Sequence, residues 1–248
     1  MRQFVKKIVR SSPLIFNPVW AAAYPYIRRT NGYVSSQFHT NEAAFSHIYE
    51  NNGWSSAETR SGFGSSLEYT APLRKSLEKL LRRLAVGTFL DAPCGDFNWM
   101  QHVRLPENTR YLGGDIVKPL IAQLQTQYGD ERRQFQSIDI VNGELPAADL
   151  WLCRDVLFHL PTADVISTLR NFSASRIPFI LTTTYDFEKE NIDVNPGGFR
   201  YINLTRPPFM LPRPQSRIVD FLAPSPPRYL ALWSREQVAA VLKRHSDQ

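Results

Sequence analysis

Residues 89–97 read FLDAPCGDF, an apolar run followed by a polar turn with a single glycine. Residues 86–91 have the length and apolar character of a short buried strand. Gly95 lets the backbone come close to a ligand, because glycine has no Cβ. In a doubly wound parallel sheet, ligands bind beyond the carboxyl ends of the strands. This stretch is therefore predicted to be a strand followed by a ligand-binding turn.

Apolar runs and amphipathic segments alternate along the rest of the chain. The predicted strands are residues 86–91, 111–116, 135–140, 148–153 and 178–184. The predicted helices are an amphipathic helix that carries leucines at residues 73–84 and ends near residues 85–87, and residues 99–103, 119–128, 163–172 and 235–244. Strands that alternate with helices favour a parallel sheet with right-handed crossovers. Residues 217–222 and 228–234 are extended and predict a closing hairpin. The expected fold is α/β, a Rossmann-like doubly wound and mostly parallel sheet with a C-terminal antiparallel hairpin.

Residues 1–64 differ from the remainder in having weak periodicity and many aromatic side chains. Solvated linkers rarely carry so many aromatics, so this N-terminal extension is predicted to pack on or over the site. Residues 65–248 are predicted to form the ligand-binding domain. A capping box at residues 65–68 marks the start of its first helix. Thr70 followed by Pro72 is a competing start.

Composition restricts the setting of the protein. The 248 residues include 29 basic and 23 acidic side chains, which give a net charge of +6 that is scattered along the chain. Because the sequence carries no nucleic-acid-binding motif, no nucleic-acid partner is expected. The two cysteines lack zinc-site spacing and fit a reducing compartment, which predicts a cytoplasmic protein. Residues 1–30 are basic and apolar, and Pro13 and Pro18 interrupt the apolar run, so peripheral contact with the inner face of a membrane is the alternative. The oligomeric state is left open.

Carboxylates recur at three successive strand ends. Asp91 and Asp96 flank Gly95, Asp115 follows about 20 residues later, and Asp139 ends the third predicted strand. A carboxylate at the spacing of Asp115 accepts hydrogen bonds from ribose hydroxyls. The NAD turn needs three glycines to receive a pyrophosphate, which two carboxylates would repel. Charge therefore favours S-adenosylmethionine, whose amino and sulfonium groups are cationic. The competing interpretation is that these aspartates cap helices or end strands in turns.

These motifs together resemble those of class I S-adenosylmethionine-dependent methyltransferases. The resemblance covers residues 62–233 and rests on residues 89–100, 111–115, 137–139 and 149–160. The first motif departs from the family pattern, since Pro93 and Phe97 replace two of its three glycines. Its sequence is closest to a bacterial subgroup often associated with glycan and cell-surface polysaccharide biosynthesis.

The resemblance implies a set of cofactor contacts. It places Asp91 and Gly95 near the methionine part, Asp115 near the ribose and Asp139 near the adenine. The residues predicted to bind the cofactor are Asp91, Pro93, Gly95, Asp96, Asp115, Ile116, Asp139, Ile140 and Arg154.

Methyl transfer to a hydroxyl requires alignment of the acceptor and removal of a proton. His159 is the candidate base, and Asp155, four residues earlier, is the candidate that orients it. The competing interpretation is a packed structural histidine. The loop after the fifth strand is the candidate acceptor site, through Tyr185, Asn191, Asp193, Arg200 and Asn203. No metal is predicted, because Asp155 and Asp193 lack a clear third ligand for Mg²⁺.

The sequence thus predicts an S-adenosylmethionine-dependent methyltransferase that methylates a hydroxyl of a saccharide or glycan intermediate. Two alternatives remain, a protein or RNA methyltransferase and a non-catalytic S-adenosylmethionine-binding scaffold. Residues 154–157 read RDVL where base-methylating enzymes carry an Asn/Asp-Pro-Pro-Tyr/Phe motif, which argues against amino-nitrogen methylation of bases.

Overall fold

The computed structural model describes residues 38–222 and 225–246. Its helices are α1 (Asn41–Glu50), α2 (Leu67–Arg83), α3 (Lys118–Tyr128), α4 (Thr162–Ala174) and α5 (Arg235–Ser246). Its strands are β1 (Thr88–Asp91), β2 (Arg110–Asp115), β3 (Arg133–Ser137), β4 (Leu150–Cys153), β5 (Phe179–Thr184), β6 (Ser216–Val219) and β7 (Tyr229–Ser234). Short 3₁₀ turns lie at Phe63–Ser65, Met100–His102 and Leu157–His159.

The seven strands form one sheet in the order β3-β2-β1-β4-β5-β7-β6. Strands β1 to β5 are parallel, whereas β7 runs antiparallel to both β5 and β6. This confirms the predicted Rossmann-like sheet with a C-terminal antiparallel hairpin. The strand order reverses between β1 and β4, so a crevice opens beyond the carboxyl ends of these two strands.

The core lies on both faces of the sheet because side chains along each strand alternate in direction. On one face, α2 and α3 cover residues such as Phe89 and Leu152. On the other face, α4 and the last helix cover residues such as Leu90, Trp151 and Trp233. Both cysteines are buried and unpaired.

Helix α2 begins earlier than one of the two predicted starts. Ser66 is the N-cap, and its side chain accepts a hydrogen bond from the Tyr69 N–H. The start at Thr70 is therefore wrong, and Pro72 lies inside the helix. Helix formation prevails there because four buried leucines pack α2 against the sheet; they are Leu73, Leu77, Leu80 and Leu81.

Two further predicted elements are shorter in the structure. Strand β3 ends at Ser137, and Asp139 lies two residues beyond it, in a turn where its carboxylate accepts the Val141 N–H at 2.8 Å. The predicted helix at residues 99–103 is only a 3₁₀ turn, Met100–His102. In both places local hydrogen bonds of a turn replace the regular pattern.

Residues 1–37 lie outside the described part of the chain, and with them the predicted membrane contact of residues 1–30. No helix in residues 38–222 or 225–246 is long and apolar enough to cross a membrane.

Candidate functional site

A cavity of about 500 Å³ occupies the crevice beyond β1 and β4. Its floor comes from the carboxyl ends of β1, β2 and β4 and from the turns that follow them. Its cover comes from α1 and from residues 54–65. Helix α1 is held across the cavity by two contacts, Lys118 Nζ to Glu42 at 2.7 Å and Asn41 Nδ2 to Asp164 at 2.7 Å. The volume is typical of sites for small molecules.

The turn after β1 folds tightly against β2. Gly95 has a φ of 55°, and a Cβ there would lie 2.2 Å from Ser61 Oγ, so only glycine fits without a shift. Its N–H donates to Asp115 Oδ2 at 3.1 Å. The Cys94 N–H donates to the carbonyl of Gly114 at 2.7 Å. Asp115 therefore organises the turn and also lines the cavity.

Two buried carboxylates form the floor of the cavity. Asp91 accepts a hydrogen bond from the Tyr111 hydroxyl at 2.8 Å, and burial raises the pKa of Asp91 to about 7. Burial likewise raises the pKa of Asp115 to about 6, although the Val117 and Gly95 N–H groups bind its carboxylate. Among the described residues neither carboxylate has an ion pair with a cationic side chain. Each would be stabilised in its charged form by a cationic ligand.

Part of the cavity wall is apolar. Ile116, Ile138 and Ile140 line it beside Asp139. The Asp139 carboxylate accepts the N–H groups of Val141 and Asn142, so the residue also has the turn role of the competing interpretation. A flat aromatic group can pack between such side chains while a polar edge meets the carboxylate.

Asp96 has a different environment from the one predicted. Its carboxylate accepts hydrogen bonds from Thr59 Oγ1 at 2.7 Å, the Arg60 N–H at 2.6 Å and Ser61 Oγ at 3.1 Å. It does not line the cavity. Asp96 instead anchors the covering segment, while Pro93 and Gly95 beside it face the cavity.

A buried network of charges follows β4. Arg154 Nε lies 3.0 Å from Asp220 Oδ2, its Nη1 lies 3.2 Å from Asp155 Oδ2, and its Nη2 donates to the Gly64 carbonyl at 2.7 Å. Arg228 Nη2 lies 2.9 Å from the same Asp155 oxygen. Burial alone would raise the pKa of Asp155, but the two guanidinium groups lower it. Asp155 has a φ of 57°, a strained conformation of the kind found at functional sites.

His159 lies in the cavity but is not oriented by Asp155. Its Nδ1 is 2.5 Å from the carbonyl of Gly198. The segment from Asp155 to His159 contains a 3₁₀ turn and not an α-helical turn. Because a carbonyl only accepts, Nδ1 carries the proton and Nε2 carries a lone pair. Burial lowers the pKa of His159 to about 4, so the ring is neutral at physiological pH.

The loop after β5 uses its predicted acceptor residues to hold itself together, and none of the five lines the cavity. Arg200 donates to the Leu160 and Ile192 carbonyls, at 2.8 and 2.7 Å. Asp193 accepts the Thr162 N–H at the start of α4, at 2.7 Å. The remaining three are Asn191, which donates to the Asn203 carbonyl, Asn203, which donates to the Glu188 carbonyl, and the buried Tyr185. A buried irregular loop needs such partners for its backbone.

Residues outside the five predicted acceptor residues line this part of the cavity instead. Phe199 and Tyr201 come from the same loop, and Arg228 comes from the start of the last hairpin strand. Trp54 comes from the covering segment, with its ring centroid 4.4 Å from that of His159. The aromatic content of the N-terminal region signalled the contribution of Trp54, whereas no local pattern marks Arg228.

No group of three or more His, Cys, Asp or Glu side chains in the described part of the chain is arranged to hold a metal ion. Asp155 and Asp193 have separate partners, Arg228 and the Thr162 N–H.

Solved structures show which fold this is. The chain is similar to PigF with SAH (17% identity, 88% of this chain, 70% of that one, TM-score 0.55). It is also similar to 1,6-didemethyltoxoflavin-N1-methyltransferase of Burkholderia thailandensis (15% identity, 81% of this chain, 92% of that one, TM-score 0.56). A third similar structure is magnesium protoporphyrin IX methyltransferase of Synechocystis with bound SAM (11% identity, 81% of this chain, 100% of that one, TM-score 0.53). No family model matches the sequence, and a search of curated proteins finds no match.

The fold is therefore the Rossmann-like fold of class I S-adenosylmethionine-dependent methyltransferases. At these identities the likeness defines the fold, and the cavity residues themselves must carry any assignment of function.

Proposed function

We propose that the protein is an S-adenosylmethionine-dependent methyltransferase. The observation that carries the proposal is the pair of buried carboxylates, Asp91 and Asp115, at the ends of adjacent strands in the cavity. They lack cationic partners among the described residues, and the fold places them where ligands bind. All three of the structural neighbours named above are described with S-adenosylhomocysteine or S-adenosylmethionine, which supports this cofactor.

The residues present fit the parts of the cofactor. Asp91 offers a carboxylate to its ammonium group, and Asp115 offers hydrogen-bond acceptors to the ribose hydroxyls. Ile116, Ile140 and the neighbouring Asp139 suit the adenine. Pro93 and Gly95 give the backbone close access to the methionine part. When bound, the cofactor supplies an electrophilic methyl group.

We propose a small-molecule acceptor, specifically a hydroxyl of a saccharide or glycan intermediate. Trp54 and Phe199 present flat apolar faces to the cavity, and Asp155 and Arg228 present polar groups beside them. Sugar rings combine an apolar face with hydroxyl groups, so this mixture suits them. His159 Nε2 carries a lone pair and is the proposed group that accepts the hydroxyl proton.

Calorimetric titration with S-adenosylmethionine tests the cofactor. We expect binding by the natural protein and a loss of at least a hundredfold in Asp115→Asn, because the ribose loses a charged acceptor and the turn loses its anchor. The matched control is Asp130→Asn, which alters an exposed aspartate in a turn far from the cavity. No binding by the natural protein would exclude the proposed cofactor.

Transfer of labelled methyl groups tests the acceptor. Purified protein with labelled S-adenosylmethionine is offered simple glycosides, glycolipid intermediates, RNA and protein. Label on the saccharides supports the proposed acceptor, and label on RNA or protein favours the alternative methyltransferase. Cofactor binding without transfer to any of them favours the non-catalytic scaffold.

A further inference from the structure

Arg228 stands out among the residues that line the cavity because nothing in the local sequence marks it. It directly precedes β7, and its side chain is only 8% exposed. Its Nε donates to the Asp220 carbonyl at 2.7 Å, and its guanidinium lies 5.1 Å from the centroid of the Tyr69 ring. These contacts fix the plane of the guanidinium group.

Arg228 and Asp155 form an ion pair at the cavity wall. Arg228 Nη2 lies 2.9 Å from Asp155 Oδ2, and both residues line the cavity. The side chain of Asp155 is 20% exposed, so the pair is within reach of a ligand in the cavity.

Gly64 keeps side-chain volume away from this pair. A Cβ at Gly64 would lie 3.1 Å from both Arg228 Nη2 and Asp155 Oδ2. Gly64, Asp155 and Arg228 all line the cavity. The pair therefore combines a donor and an acceptor at one place in the cavity wall, which is the arrangement that a hydroxyl group can use in both directions.

Aromatic rings lie close to the pair. The His159 ring centroid is 4.4 Å from that of Trp54 and 5.8 Å from that of Phe199. These three rings and the ion pair line the same cavity. A ligand here meets apolar faces and a polar pair together.

The charges in the cavity decide between neutral and anionic ligands. Four carboxylates line it, and only three guanidinium groups, which belong to Arg60, Arg154 and Arg228. Arg154 and Arg228 both already lie against Asp155 and Asp220. An anionic ligand would find no surplus positive charge in this compartment and would repel the carboxylates.

We propose that the part of the acceptor that enters the cavity is an uncharged, hydroxyl-bearing ring, and that Arg228, paired with Asp155, is the residue that selects and anchors it. This inference rests on the proposed methyltransferase function. It adds that the reactive ring carries no carboxylate or phosphate, and it names a specificity-determining residue on the C-terminal hairpin.

The first experiment compares matched acceptors. Labelled methyl transfer is measured to the methyl glycosides of glucose, galactose and mannose and to the corresponding uronates. We expect at least one neutral glycoside to be labelled at least tenfold faster than its uronate. Preference for a uronate, or no labelling of any neutral glycoside, overturns the inference. Titration with S-adenosylhomocysteine on the same preparation shows separately whether the proposed cofactor function stands.

The second experiment alters Arg228 and a matched arginine. For the best neutral glycoside, Arg228→Met should raise KM about tenfold or more, with binding of S-adenosylhomocysteine changed less than twofold. Arg217→Met is the control, because Arg217 is on the same hairpin, pairs with Asp186 and lies 5.6 Å from a tyrosine ring, but does not line the cavity.

Arg228→Lys keeps the charge beside Asp155 and Asp220 and loses the planar fork, so it serves if the methionine variant does not fold. It should also raise KM, by at least threefold. An unchanged KM in Arg228→Lys, or an equal rise in Arg217→Met, overturns the role of Arg228.

Discussion

The proposed cofactor half and the proposed acceptor half of the cavity are built in different ways. The cofactor half comes from Asp91, Gly95, Asp115 and Asp139, which follow three successive strands within about 50 residues of chain. The acceptor half brings together Trp54, the segment after β4, Phe199 and Arg228, which are spread over most of the described chain. The first half is a property of the sheet edge. The second half depends on how loops and the last hairpin pack against that edge.

The contrast extends to the electrostatics. In the cofactor half, burial raises the pKa values of Asp91 and Asp115, and neither carboxylate has an ion pair among the described residues, so a cationic ligand would stabilise their charged forms. In the acceptor half, Asp155 and Asp220 are matched by Arg154 and Arg228. The cofactor half therefore favours a cationic ligand, whereas the carboxylates of the acceptor half are already neutralised by arginines. Four changes test whether this division holds, from the largest expected effect to the smallest.

Removal of Arg200 should destabilise the acceptor half. Arg200→Met leaves two buried carbonyls without their donor, so we expect the free energy of unfolding to fall by about 3 kcal/mol, measured by urea denaturation. Arg206→Met, an exposed arginine of the same loop, is the control. If Arg200→Met were fully stable and lost only acceptor affinity, Arg200 would be a binding residue as the sequence suggested.

Removal of the His159 lone pair should slow the chemistry and spare the cofactor half. His159→Asn keeps an N–H donor near the Gly198 carbonyl but has no basic nitrogen, so kcat should fall about a hundredfold. The dissociation constant of S-adenosylhomocysteine should not change. A methylation rate near that of the natural protein would show that His159 is a packed structural histidine.

Loss of the Asp96 carboxylate should lower cofactor affinity, although Asp96 does not line the cavity. Asp96→Asn keeps the size of the side chain but weakens its bonds to Thr59, Arg60 and Ser61. Cofactor affinity should fall about tenfold by titration, because charged acceptors bind more strongly than neutral ones. Unchanged affinity would mean that the covering segment does not depend on this carboxylate.

Cofactor affinity should rise modestly with pH. Because the pKa values of Asp91 and Asp115 are about 7 and 6, both carboxylates lose protons between pH 5 and 8, and the charged forms attract a cation more strongly than the protonated forms. Affinity for S-adenosylmethionine should rise up to about tenfold over that range. Without ligand, both groups bind protons more tightly in the folded protein than in the unfolded chain, so their contribution to stability should fall from about pH 4 upward and be lost by about pH 7. In Asp91→Asn the rise in affinity should be smaller, and an equal rise would exclude Asp91 as its source.

Local sequence patterns carried the prediction of the sheet because strand and helix periodicity depends on neighbouring residues. The antiparallel hairpin was predicted for the same reason. The structure departs from the sequence-based expectation where local and tertiary demands differ. Asp139 was placed at a strand end, but a turn ends β3 two residues earlier, and Asp96 was assigned to the cofactor although residues 59–61 use its carboxylate.

The acceptor residues show the same limit more strongly. Asn191, Arg200 and Asn203 are polar residues in a Pro- and Gly-rich loop, which is a composition typical of binding loops. In the folded protein residues 197–204 of this loop are largely buried, so their backbone groups need partners and these side chains provide some of them. Composition alone does not reveal which polar residues serve the loop and which face a ligand.

The sequence by itself determined the Rossmann-like sheet and the row of carboxylates at its edge, because both follow from the order of strands and the residues that end them. Only the tertiary structure decided that Arg228 meets Asp155, that Trp54 lies against His159, and that Arg200 donates to the Leu160 and Ile192 carbonyls. Those pairs join residues far apart in the chain, and their contacts depend on the packing of loops whose geometry no periodic pattern specifies.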